Sequence, residues 1–172
     1  MTGERPDIPV HLRQRPTSSG LVVPVPTPRT ADGQYLFGLI ERGQQQRLLH
    51  GRLCQICGQP LDGRLILFAR PADLQLCGTS EPALCPPCAA YSSRACPMLS
   101  GRLAEYRRRP RTAFAGISAD TGGHLRAGTH ADPWFAVWVR GYDVVAHPIR
   151  GQVLAASWLR HPPLIIRPVP GR

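Results

Sequence analysis

Cys54-Gln55-Ile56-Cys57-Gly58 and, after residues 58–84, Cys85-Pro86-Pro87-Cys88 are the stretches on which the reading of this 172-residue chain turns. Two thiols three positions apart reach one point when the backbone turns between them. Gly58, directly after the first pair, tolerates the left-handed or crowded backbone that such a knuckle needs. Two pairs supply four sulfurs, the number and kind of donor that zinc takes in a closed tetrahedral site. The second pair opens CPPCAAYSSRACPML. Pro86 and Pro87 suit a first helical turn, where N–H groups lack intrahelical partners, and Pro97 should end the element, so a helix is expected to about Ala95. Thiolates at a helix start are also favoured by the positive end of its dipole. The expected cofactor is one structural Zn2+ per chain, held by Cys54, Cys57, Cys85 and Cys88.

Two other readings of these cysteines are weaker. Free Cys is often a small buried hydrophobe, but two C-x-x-C units by coincidence are improbable. A redox C-x-x-C at a helix start is usually single and follows a buried strand, whereas ALCPPC follows a Gly-Thr-Ser-Glu-Pro loop. Cys77 and Cys96 are read as core or loop thiols. His50, four residues before Cys54, is a further candidate ligand, although a His at a helix end is more often a surface residue near the last carbonyls.

Outward from this centre, the chain reads as α+β. RLILFA (residues 64–69) is a strand between the two pairs, and knuckle, hairpin and helix in that order form a treble clef. Residues 1–20, with Pro6, Pro9, Pro16 and the turn cluster Thr17–Gly20, are expected to be a disordered arm. Residues 21–170 are expected to form a single zinc-stabilised domain: the treble-clef-like centre packed with a small, mainly antiparallel sheet and short helices. Leu21–Pro28 suits an extended, proline-punctuated segment. Tyr35–Ile40 suits a strand or helix entry, and Glu41–His50 a short polar helix. Strands are expected at Thr112–Ser118, Trp134–Val139 and Tyr142–Ala146. The second of these is apolar on both faces and hence central. Gln152–Arg160 suits a helix, with Leu154 and Trp158 four apart, and Leu164–Ile166 a last strand.

Composition narrows the function classes. Apolar residues are 42% of the chain, enough for a real core. The 21 basic residues against 11 acidic ones give +10, and every cation is Arg; the chain has neither Lys nor Asn. Both missing residues use A-rich codons, so the bias points to a GC-rich genome and weakens the inference from basicity to nucleic acid. No apolar run approaches the roughly 18 residues of a membrane span. The first residues carry charges and prolines where a secretion signal has its apolar segment. A cytoplasmic location and metal-bound rather than disulfide-bonded cysteines are therefore expected.

The spacing is similar to that of the Cys-flanked HNH nucleases, a treble-clef group. Leu67-Phe68-Ala69-Arg70-Pro71 stands where those enzymes carry the catalytic His, with Phe68 at that position, so the similarity implies scaffold only. The zinc deaminases join H-x-E to P-C-x-x-C; here Gly51-Arg52 follows His50 and Leu84 precedes Cys85. LCQICGQPLDGRLILF and TSEPALCPPCAAYSSRACPML, with the strand-rich region after them, resemble a family of actinobacterial hypothetical proteins common in streptomycetes. Those carry a CQVCG…CLPCA…CP arrangement. The resemblance covers residues 20–170 and implies a zinc-stabilised domain in a bacterial cytoplasm. It departs at the Gly-rich loop Asp120–Gly128.

Other constellations carry less. Gly122-Gly123-His124 and His130-Ala131-Asp132 lack the Lys-Ser/Thr and strand–helix setting of a phosphate loop. His147, His161 and Asp143 lack a nucleophile elbow. Arg107-Arg108-Arg109-Pro110-Arg111 is the densest basic run, either a phosphate-contacting patch with Tyr106 beside it to stack on bases, or a solvated linker. Three functions follow: a non-catalytic zinc protein that assists nucleic-acid binding through Arg107, Arg108, Arg109 and Arg111; a protein-interaction or structural module; or a thiol-dependent enzyme. No membrane partner is expected.

Overall fold

Leu65–Ala69 (β3) is the strand around which the rest is arranged, because every one of its five side chains is buried. Alternation sends Ile66 and Phe68 to one side and Leu65, Leu67 and Ala69 to the other, and each set anchors a separate hydrophobic cluster. The computed structural model describes residues 6–108 and 123–170. The expected strand at Thr112–Ser118 and the first part of the Gly-rich loop lie outside the described residues, while Gly123–Arg126 forms a 3-10 turn.

Three small antiparallel sheets are present among the described residues. Thr17–Ser18 (β1) and Leu21–Val22 (β2) form a hairpin through Ser19 and Gly20, whose φ values of 51° and 75° give the primed turn that matches strand twist. β3 pairs along its whole length with Phe135–Val139 (β5), which pairs in turn with Ile165–Pro168 (β8). β5 is thus the central strand, as its two apolar faces imply. Gly78–Thr79 (β4), Leu154–Ser157 (β7) and Asp143–Ala146 (β6) make the third sheet, with β7 in the middle.

The helices follow their capping chemistry. Arg42–Gly51 (α1) starts at Glu41, whose carboxylate accepts from the N–H groups of Gly43 and Gln44 at 2.9 and 2.7 Å. It ends at Arg52 in the left-handed region. It is a polar helix held by three buried side chains, Gln45, Leu48 and Leu49; Gln45 Nε2 donates to the Ser80 carbonyl at 2.6 Å. Pro71–Gln75 (α2) and β4 fill the interval between β3 and the second cysteine pair, where the sequence suggested only a loop. Pro86–Ala95 (α3) begins with two prolines and ends before Pro97, as expected.

Three expectations differ from the structure. Residues 1–5 of the expected arm lie outside the described residues, but within the rest Leu12 is fully buried in the β3–α3 cluster and Ile8 packs against it; just beyond, the Val22 N–H donates to Tyr91 Oη at 3.1 Å. The proline content that suggested mobility sets turns here, with Leu12 as the anchor. Gln152–Arg160 contains strand β7 rather than a helix. A spacing of four puts Leu154 and Trp158 on one face in either conformation, and pairing with both β4 and β6 decides for the strand. Tyr35–Ile40 holds neither strand nor helix; turns fold it back so that Leu36 N–H donates to the Pro28 carbonyl. Among the described residues no helix is long and apolar enough to cross a membrane.

Candidate metal centre

The first pair sits in a tight knuckle. Gly58 N–H donates to the Cys54 carbonyl at 2.9 Å and Cys54 N–H to the Gln59 carbonyl at 2.8 Å, with Leu53 and Pro60 bridged behind them. Gly58 has φ +74°, and a Cβ there would meet Val25 Cγ2 at 3.4 Å, so glycine is used for its backbone freedom. The second pair is carried by Cys85, which caps α3, and Cys88 in its first turn. Gln55 N–H donates to the Ala83 carbonyl at 2.9 Å and joins the knuckle to the approach of α3, while Ile66 pairs with Leu84 and joins that approach to β3. That single bridge is the only hairpin-like pairing between β3 and the approach to α3 among the described residues, since β3's full-length partner is β5.

The Sγ atoms of Cys54, Cys57, Cys85 and Cys88 all lie within 4.8 Å of one another. A tetrahedron with metal–sulfur bonds of about 2.3 Å has edges of about 3.8 Å, so small side-chain rotations bring all four onto one ion. Cys57 and Cys85 Sγ are 4.0 Å apart, about twice a disulfide bond, and all four thiols are free. Cys54 and Cys88 are fully buried, and Cys57 and Cys85 are half-buried.

Three of the thiols perturb one another. Hydrogen bonds from the Cys85 and Cys88 thiols hold the Cys54 pKa well below its usual value. The same bonding to Cys54 pushes Cys85 and Cys88 up. The Cys54 thiolate is thus favoured at the expense of Cys85 and Cys88.

His11 is a neighbour that spacing did not reveal: its Nε2 lies 3.4 Å from Cys88 Sγ, within hydrogen-bonding reach of one sulfur of the cluster. The signal was unreadable locally, because 77 residues separate the two. His50 is exposed on the last turn of α1 and is not one of the cluster. Nor are Cys77 and Cys96. Cys77 follows α2 with its Sγ 3.8 Å from the Leu74 carbonyl, and burial pushes the Cys96 thiol up.

Of the basic run, Arg107 and Arg108 are exposed, while Arg109 and Arg111 lie outside the described residues. Arg108 Nη2 stands 3.9 Å from Glu105. Tyr106 is already engaged: its hydroxyl donates to Asp132 at 2.9 Å, and the Arg126 guanidinium covers its ring at 5.1 Å. That leaves it ill-placed to stack on a base.

No catalytic constellation forms elsewhere among the described residues. Phe68 is core at the position where a nuclease would need its His. Asp143 is bound by Arg160 at 2.9 Å and His161 at 3.4 Å, which lower its pKa, Arg160 the more. Ser157, opposite Asp143 in the sheet, gives its hydroxyl to the Cys77 carbonyl. His147 Nδ1 accepts from the Ile149 and Arg150 N–H groups and serves a turn. Comparison of the chain with family models, with curated proteins and with solved structures gives no match, so function has to be argued from its own geometry.

Proposed function

We propose that this chain is a non-catalytic zinc-binding module in which Cys54, Cys57, Cys85 and Cys88 hold one Zn2+ in a treble-clef-like setting. The observation that carries the reading is the convergence of four free sulfurs from a knuckle and a helix start. A soft, all-thiolate, tetrahedral donor set favours zinc over oxygen-seeking divalent ions. The ion would supply a closed coordination shell that ties the knuckle to α3. Elemental analysis of protein purified without chelator should find one zinc per chain, and none after Cys54→Ser. Iron in its place, or fully folded metal-free protein, rejects the reading.

Two surfaces suit a partner. Leu164, Ile165 and Ile166 are exposed at and beside β8, an edge strand among the described residues, which favours docking of another protein. Exposed Arg107 and Arg108, with the +10 net charge, favour nucleic acid. The second reading has a quantitative test. Each phosphate contact contributes roughly −0.9 to the slope of log K against log salt for duplex DNA. Changing Arg107, Arg108, Arg109 and Arg111 to Gln should flatten that slope by about 3 to 4 units. A control set with the same charge change, Arg5, Arg13, Arg15 and Arg172 to Gln, should flatten it less. Equal effects of the two sets, or no binding at about 0.15 M salt, would leave the protein-docking reading.

A further inference from the structure

His11 reaches the cysteine cluster from a part of the chain that builds neither pair. Pro9 precedes the 3-10 turn Val10–Leu12, and the Leu12 N–H donates to the Pro9 carbonyl at 2.9 Å. The Arg15 N–H closes a second turn on the Leu12 carbonyl at 2.9 Å, and the Val23 N–H returns to the Pro16 carbonyl at 2.8 Å. Leu12 is thereby held, fully buried, in the apolar cluster that also contains Cys54 and Cys88. Its neighbour His11 is an exposed residue, yet its Nε2 stands 3.4 Å from the sulfur of the fully buried Cys88. The contact runs from the surface inward.

A sulfur that holds a cation has lost its proton and can only accept a hydrogen bond. The imidazole nitrogen facing it must then carry the hydrogen, which places the Nε2–H tautomer at this contact. Four thiolates around one Zn2+ leave a net charge of about −2, and charge buried away from water has to be met by donors. Backbone N–H groups of Cys57 and Cys85 serve the Cys54 sulfur, and that of Cys88 serves Cys85. At Cys88 the His11 ring is a donor from outside the four cysteines. Such a bond draws electron density off the sulfur and makes it a weaker base and a poorer nucleophile. Those are the two properties by which a thiolate gives up a metal to a proton or attacks an electrophile.

We propose that His11 is a positioning residue of the metal centre: its Nε2–H holds the Cys88 thiolate on the ion and covers that sulfur on its surface side. The proposal rests on the zinc reading above and extends it, because retention of the metal then depends on the docking of the segment around Leu12.

The test uses the full chain purified with its metal and follows transfer of zinc to the chromogenic chelator 4-(2-pyridylazo)resorcinol. One zinc per chain is expected in the unmodified protein and in His11→Ala, since His11 is not one of the four ligands. His11→Ala should give the metal up about ten- to a hundredfold faster, the range by which losing the partner of a metal ligand lowers affinity. His11→Gln, whose amide can donate, should recover part of the slow rate; His11→Phe, which fills the space without a donor, should not. Cobalt(II) in place of zinc reports on the sulfur itself, which a merely structural role of the segment would not alter. Its sulfur-to-metal charge-transfer band should move to lower energy in His11→Ala and His11→Phe, while the d–d bands keep the pattern of four sulfurs. Zinc-free unmodified protein would defeat the metal reading and this one with it. With zinc bound, the role of His11 alone is overturned by an unchanged transfer rate in His11→Ala, by His11→Phe as slow as the unmodified chain, by an unmoved charge-transfer band, or by d–d bands that show a nitrogen ligand lost.

Discussion

Stripping the metal with a strong chelator is expected to unfold the chain in one cooperative step, with loss of near-ultraviolet circular dichroism. Cys54 and Cys88 belong to the same buried cluster as Leu12, Ile66, Phe68, Leu84 and Tyr91. Without an ion, two fully buried thiols and two half-buried ones are left crowded together. Structural zinc sites bind with about 10–16 kcal/mol of apparent free energy in small peptides, comparable with the roughly 5–15 kcal/mol by which whole domains are stable. The loss should spread, because β3 places alternate side chains in both clusters. Cys54→Ser and Cys88→Ser should reproduce it. Cys77→Ser and Cys96→Ala should keep a full complement of metal, since neither thiol reaches the cluster. A metal-free chain with an unchanged spectrum would show that the four sulfurs meet for another reason.

Asp73→Ala should give the second large effect, a loss of about 3–5 kcal/mol. The Arg70 and Asp73 side chains are 7% and 5% exposed and joined at 2.9 Å, and the same carboxylate accepts the Arg70 backbone N–H at the start of α2. Burial opposes the Arg70 charge, and Asp73, with smaller contributions from Glu81 and Tyr106, holds the guanidinium pKa above its usual value. Removing the carboxylate strands a buried cation and an unpaired N–H together. For a chain of this size that is a fall in melting temperature of roughly 6–20 °C. Arg70→Met combined with Asp73→Ala should recover much of the loss, because a buried pair replaced as a unit leaves no lone charge. A single-variant cost below about 1 kcal/mol would mean that water reaches this pair.

The four-cysteine cluster, the short helices α1 and α3, and strands β3 and β5 were all legible in the sequence, because each rests on local chemistry. C-x-x-C spacing and Gly58 set a knuckle whatever surrounds it. Pro86, Pro87 and Pro97 bound a helix by what their backbones forbid. Runs such as LILFA and FAVWV are too uniformly apolar to sit anywhere but inside. Tertiary structure decided what local rules leave degenerate. Leu154 and Trp158 satisfy helix and strand alike, and only β4 and β6 on either side of β7 settle the choice. Leu12 looks like one apolar residue in a proline-rich arm until the α3 cluster buries it. His11 meets Cys88 across a separation that no window along the chain can span. Chemistry confined to a few consecutive residues is written in their order; which distant side chains share a space is fixed only when the whole chain packs.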